Sequence, residues 1–254
     1  MAPDKGCTGM GFQSVSRTHV GCRRAVNEDA VLCRPDLGLW AVADGMGGHD
    51  AGAVASALVV ETLAGCDPGL DLGTRTDTAR RMIVEANRRL MAMGRDSSTG
   101  RTIGTTVVAI AADSGSFACL WAGDSRAYHC RGPRLVQLTR DHSVVQALVD
   151  AGELTPAAAA DHPDSNLVTR AVGAASNLII DTVTGEISPG DTLLLASDGL
   201  TRLLSRDELL LGLNASDLDA AADGFIDVCL ARGAPDNVSL VMLRAEKETR
   251  SDRQ

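Results

Sequence analysis

Aromatic residues are scarce in this chain, at 2% of 254 residues: two Trp, one Tyr and three Phe. A core must then come from Ala, Val, Leu and Ile, and an apolar content of 44% is ample for one. No apolar run approaches the roughly 18–20 residues that a membrane-spanning helix needs. Residues 1–10 lack the apolar segment of a secretory signal. The seven cysteines (Cys7, Cys22, Cys33, Cys66, Cys119, Cys130, Cys229) are odd in number and never spaced Cys-x-x-Cys. That argues against a disulfide framework and a zinc ribbon, and most suit buried positions. Basic clusters are missing too: the densest are the pairs Arg23-Arg24, Arg80-Arg81 and Arg88-Arg89. With 33 acidic against 24 basic residues, the net charge of −9 repels nucleic acid and anionic membranes. A cytoplasmic protein with neither as a partner is expected.

Familiar catalytic signatures are also absent. There is no G-x-S-x-G, no G-x-x-x-x-G-K-[ST] and no H-E-x-x-H. The five histidines (His19, His49, His129, His142, His162) lack metal-ligand spacing, and no cysteine stands in a Cys-x5-Arg phosphate loop.

What is present is a series of short apolar runs bounded by turn residues. Strands are predicted at Gln13–Thr18, Ala30–Cys33, Leu39–Ala43, Thr105–Ala111, Phe117–Ala122, Arg126–Cys130, Ile179–Glu186, Thr192–Ala196 and Val238–Leu243. Helices are predicted at Ala51–Leu63, Thr76–Met93, Ser143–Ala151, Asp207–Leu213 and Ser216–Ala231, the last capped by Ser216 with Asp219. Leu39–Ala43, Phe117–Ala122 and Leu193–Ala196 are apolar on both alternating faces, so they need cover on both sides. Strands and helices do not alternate regularly, which disfavours a doubly wound parallel sheet. Two packed sheets with helices outside fit better. With no linker or repeat between loose ends at 1–10 and 246–254, one domain is expected at 11–245.

Acids follow the buried strands repeatedly. Leu39–Ala43 runs into Asp44-Gly45, Leu193–Ser197 into Asp198-Gly199, and Phe117–Ala122 into Gly123-Asp124, while Asp236 precedes Val238–Leu243. Taken singly, each is better read as an ordinary turn, and Asp223-Gly224, inside a predicted helix, is such a bystander. Taken together, they place four carboxylates at strand ends that could share one rim. Clustered carboxylates repel one another, and a hard divalent cation supplies the missing charge through oxygen ligands. A magnesium or manganese site is therefore expected.

The ordered blocks Arg24-x-x-Asn27-Glu28-Asp29, Val42-Ala-Asp44-Gly45-Met46-Gly47-Gly48-His49, Gly104-Thr105-Thr106, Gly123-Asp124-Ser125-Arg126, Asp141-His142-Ser143, Ala196-Ser197-Asp198-Gly199 and Asp236-Asn237 resemble the metal-dependent protein phosphatases. This is the PPM or type 2C group, and the likeness is to its bacterial branch, from about Phe12 to Arg244. The resemblance implies an α+β fold, a central antiparallel β-sandwich flanked on both faces by helices, four layers in αββα order. It implies hydrolysis of phosphoserine and phosphothreonine in proteins by direct attack of a hydroxide bridging two metal ions. Two to three divalent ions, manganese or magnesium, are implied. Asp44 would bridge two of them and Gly45 would offer its carbonyl to the second. Asp198 and Asp236 would complete the first, Glu28 would serve the second, and Asp124 with Asp198 would serve a third. Arg24 would bind phosphate, Thr139–Gly173 would form a flap, and a serine/threonine kinase would oppose a monomeric enzyme. A non-catalytic regulatory module of the same fold, and a hydrolase of small phosphate esters, are the alternatives.

Where animal and plant members carry a histidine considered the general acid, this chain has Met46, which cannot donate a proton. His49 and a metal-bound water are the candidates left. If His49 protonates the leaving group, His49→Ala slows hydrolysis of a phosphopeptide far more than of an activated aryl phosphate; equal slowing of both rejects the role.

Overall fold

The computed structural model describes residues 10–47, 51–96 and 103–247. One sheet has the order β1 (Met10–His19), β11 (Val238–Lys247), β10 (Thr192–Ala196), β7 (Arg126–Arg131) and β8 (Arg134–Gln137). The other has β2 (Asp29–Arg34), β3 (Leu39–Met46), β5 (Val107–Asp113), β6 (Ser116–Ala122) and β9 (Asp181–Glu186), with β4 (Gly104–Thr105) on the end of β3. All of these pairings are antiparallel.

The doubly apolar strands explain the layering. On β3, Trp40 and Val42 point into the space between the sheets, while Leu39 and Ala41 point out. On β10, Leu193 and Leu195 face inward, and Leu194 and Ala196 face outward. Each strand therefore carries apolar groups on both faces because both are covered. The outer face of the second sheet is covered by α1 (Ala51–Ala64) and α2 (Leu72–Asp96). That of the first is covered by α5 (Asp198–Thr201), α6 (Arg206–Leu213) and α7 (Leu218–Ala231). The result is the αββα order expected. With so few aromatic rings, the central layer is aliphatic except where Trp40, Phe117 and Trp121 enter it; Phe12 meets Trp40 edge-on at 5.2 Å.

Several local expectations change. The strand β3 does not stop at Ala43 but runs on through Asp44 and Gly45 to Met46. Asp198-Gly199 opens the single turn of α5 and is not a hairpin turn. The N-cap of α7 is Asp217, whose side chain accepts from the Ala220 amide, and not Ser216. The α2 helix begins at Leu72, four residues early, because the Asp71 carboxylate accepts from the Thr74 amide at 3.0 Å, which satisfies a free donor of the first turn. The short β8 was not expected; its four residues follow Gly132-Pro133, where only a turn is legible. Met10 opens β1 and Lys247 closes β11, and the rest of the two expected loose ends, 1–9 and 248–254, lies outside the described residues. The six described cysteines are all free, and among the described residues no helix is long and apolar enough to cross a membrane.

The stripe Ala79, Ile83, Ala86 and Leu90 seats α2 on its sheet, each fully buried, at the i, i+4, i+7, i+11 spacing of one helix face. Ile83→Ala is expected to cost about 2–5 kcal/mol in equilibrium denaturation. Val84→Ala on the exposed side of the same helix is expected to stay within about 0.5 kcal/mol.

Candidate active site

Acidic side chains from distant parts of the chain meet at one end of the sandwich. Glu28, Asp44, Asp124, Asp198 and Asp236 all line a cleft of about 410 Å³, together with Arg24, Gly45, Met46, Thr106 and the segment Asn166, Leu167, Val168. Each acid predicted from the sequence as a metal ligand is therefore in this one hollow. Another hollow, of about 450 Å³ beside Leu210 and Leu211, is almost wholly apolar. Asp223 is elsewhere, paired with Arg17 on the surface. His49 lies outside the described residues.

Backbone contacts set each acid in place. Asp44 stands on β3 opposite Asp29 of β2. Its amide donates to the Thr106 hydroxyl at 3.1 Å, and its carbonyl accepts from the Thr106 amide at 2.8 Å and the Thr105 hydroxyl at 2.9 Å. These bonds are why the strand continues past the Asp-Gly pair. Gly45 permits the next step: a Cβ there would stand 2.2 Å from the Gly52 carbonyl oxygen and 2.5 Å from that of Glu28. Gly52 in turn has no room for a Cβ because Glu28 Oε1 would be 2.5 Å from it. Asn237 fastens the Glu28 loop to the start of β11. Its side-chain oxygen accepts from the Glu28 amide at 2.8 Å, and its nitrogen donates to the carbonyls of Val20 and Val26.

The acids outweigh the bases that answer them. Asp198 lies within hydrogen-bonding reach of Asp44, and burial raises its pKa, with Arg202 opposing and Asp236 adding to the rise. Burial, then the charges of Asp29, Asp198, Asp124 and Asp236, hold Asp44 well above the carboxylate range. Burial pushes Asp124 up to about 7. Asp29 is also pushed up to about 7 by burial, although the hydroxyls of Ser239 and Ser197 pull the other way; Ser197 donates to it at 2.9 Å. Two guanidinium groups answer part of this charge: Arg24 donates to Asp236 at 2.7 Å, and Arg202 forms an ion pair with Asp198 at 2.9 Å.

Among the described residues no three of these groups form a ready-made metal-binding cluster. The donors nevertheless fit a hard divalent cation: they are carboxylate and carbonyl oxygens. Glu28 Oε1 is buried without a hydrogen-bond partner, and the missing Cβ of Gly52 leaves the room it occupies. Asp29, Gly52, Asn237, Thr106 and Arg202 are the site residues that the sequence did not single out. The Asn-Glu-Asp and Asp-Asn runs were visible, but that Asn237 holds a residue 209 positions away carries no local signal.

A family profile described as Protein phosphatase 2C matches residues 22–229, and the chain belongs to that family. A curated relative, the serine/threonine protein phosphatase PstP of Mycobacterium tuberculosis (strain CDC 1551 / Oshkosh), is 38% identical over 231 residues, 89% of this chain and 44% of that protein. The chain thus spans less than half the length of that relative. Among solved structures, PppA, described as a key regulatory component of T6SS in Pseudomonas aeruginosa, superposes with a TM-score of 0.85 at 40% identity, covering 92% of this chain and 98% of that one. The catalytic domain of PstP in complex with two manganese ions superposes with a TM-score of 0.82 at 33% identity, covering 93% and 99%.

The raised carboxyls make the fold sensitive to pH. In the folded chain Asp29 and Asp124 keep protons up to about pH 7 that unfolded aspartates release near 3.8. Folding without a cation therefore takes up protons between these values, and stability falls as the pH rises through that window. Thermal melts in EDTA are expected to drop by several degrees between pH 5 and pH 7, and saturating manganese is expected to abolish the drop.

Proposed function

We propose that this chain is a metal-dependent serine/threonine protein phosphatase that transfers the phosphoryl group of phosphoserine and phosphothreonine to water without a phosphoenzyme. One observation carries the reading: carboxylates of Glu28, Asp44, Asp124, Asp198 and Asp236, from widely separated segments, share one cleft with the exposed guanidinium of Arg24. Kinship with the protein phosphatase 2C family and with a manganese-bound PstP domain supports it. Asp44 would serve two divalent ions, manganese or magnesium. Asp198 and Asp236 would complete one, Glu28 and the Gly45 carbonyl the other, and Asp124 with Asp198 would be the place of a third. Bound there, the ions would supply charge neutralisation and a water acidic enough to attack near neutral pH.

The chain's own residues do the rest. Arg24 is half exposed in its pair with Asp236, and so open an ion pair is worth roughly 0–1 kcal/mol. Its planar fork can therefore turn to the phosphate oxygens at little cost. Asn166, Leu167 and Val168 of the 139–173 flap border the cleft and would meet the phosphorylated protein around its phosphate. Met46 lines the cleft but has no proton to give, so the leaving oxygen would take its proton from His49 or from a metal-bound water. Every acid of the cluster is in place, and a non-catalytic module has no use for buried like charges. The opposing partner would be a serine/threonine kinase, and the working form a cytoplasmic monomer with 11–245 as its single domain.

Hydrolysis of p-nitrophenyl phosphate and of a phosphothreonine peptide is expected with manganese, and none with EDTA. Asp198→Asn is expected to lower turnover of both by about 100-fold or more. A folded, manganese-binding chain that turns over neither substrate would return the regulatory module to favour.

A further inference from the structure

Arg202 joins the acids of the cleft to the segment lying over them. It is the C-cap residue of α5, four positions after Asp198, and its Nε forms an ion pair with Asp198 Oδ2 at 2.9 Å. Its other two nitrogens turn away from the cleft floor. Nη1 donates to the side-chain oxygen of Asn166, and Nη2 donates to the Ser165 carbonyl at 2.8 Å. An ion pair at this spacing on an open helix face is worth little. Here Asp198 is only 19% exposed, and the guanidinium that faces it also donates to two acceptors. Its charge also reaches Asp124, which is 7% exposed and lies in the field of Asp198 and Asp141.

We propose that Arg202 is a positioning residue that supplies an internal counter-charge to the Asp198–Asp124 pair and, with the same guanidinium, holds the 165–167 stretch over the cleft. The inference rests on reading the cleft as a metal site. A rigid fork of donors suits both tasks at once. A cation entering between Asp198 and Asp124 must displace this guanidinium, because two positive charges would then compete for the same carboxylate oxygens. Displacing it removes the two bonds that hold Ser165 and Asn166. Occupancy of that position and closure of the segment therefore oppose each other, and the coupling runs equally in both directions. With Arg202 in place, the last cation binds weakly and the segment stays down over the cleft, where Asn166 and Leu167 stand beside any bound phosphoprotein.

The test combines calorimetric manganese titration with amide hydrogen exchange on the metal-free chain, using wild type, Arg202→Gln and Arg202→Lys. The Gln variant is expected either to take up one manganese more per chain or to bind the weakest one roughly tenfold tighter. It is also expected to exchange faster at Ser165 and Leu167, whose amides donate to His162 and Asp164. The Lys variant keeps the charge without the fork. It is expected to exchange as fast as the Gln variant while retaining the manganese stoichiometry of the wild type. Equal weakest-site affinity and equal exchange in wild type and Gln variant overturn the proposal. If the wild type binds no manganese at all, the metal reading of the cleft fails. The exchange comparison then decides the tether by itself, unchanged protection refuting it.

Discussion

The mutual repulsion of carboxylates crowded into one partly buried cleft is the constraint on which the rest of this molecule turns. Asp29 and Asp124 are nearly buried, Asp44 and Asp198 are within hydrogen-bonding reach of each other, and Glu28 and Asp236 open onto the same hollow. Such charges are costly out of water unless something positive or a proton answers them. The protein provides two arginines, each held to one acid, and the carboxyl groups answer the rest by keeping protons above their usual range. Oxygen donors crowded in this way suit a hard divalent cation, and in the proposed function substrate, ions and arginines would share one charge balance.

The sandwich makes that crowding possible. Its central layer packs Trp40, Val42, Leu193, Leu195, Val241 and Leu243 against one another, and helices seal both outer faces. Strands packed on both faces would lose close-packed contacts on both if they shifted, so their ends are held in place. The acids on β3, after β6, after β10 and before β11 inherit that rigidity. Side chains with no charge complete the work: Thr106 and Thr105 extend β3 through Asp44, and Asn237 ties the Glu28 loop to β11.

The 139–173 segment borders this floor through Asn166, Leu167 and Val168. Its α3 (Val144–Asp150) and α4 (Pro156–Ala160) are short; a Ser143–Val168 bridge closes it on itself, and it is tied to the body by the Thr105–Val172 bridge, the pairs Arg126–Asp141 and Arg170–Asp181, and Arg202. A packed floor beside this segment suits the proposed function, in which the site would bind a phosphate and admit a protein.

The sequence by itself determined the layers and pointed to the acids that meet in the cleft. Strands such as Leu39–Ala43, apolar on both faces, demand cover on both sides, and repeated Asp-Gly and Gly-Asp pairs at strand ends marked Asp44, Asp124 and Asp198. Taken singly those pairs read as turns, because the local preference of Asp-Gly is a turn, and so the strand appeared to end at Ala43. The continuation of β3 depends on Thr105 and Thr106, some 61 and 62 positions away. Asp29, Asn237 and Arg202 were visible as residues but not as parts of the site. What makes them so is proximity across 168, 209 and 36 positions of chain. Periodicity and turn chemistry act between neighbours in sequence and so can be read from it. Which buried charge faces which hydrogen-bond donor is decided only when the two sheets close and bring distant strand ends to one rim.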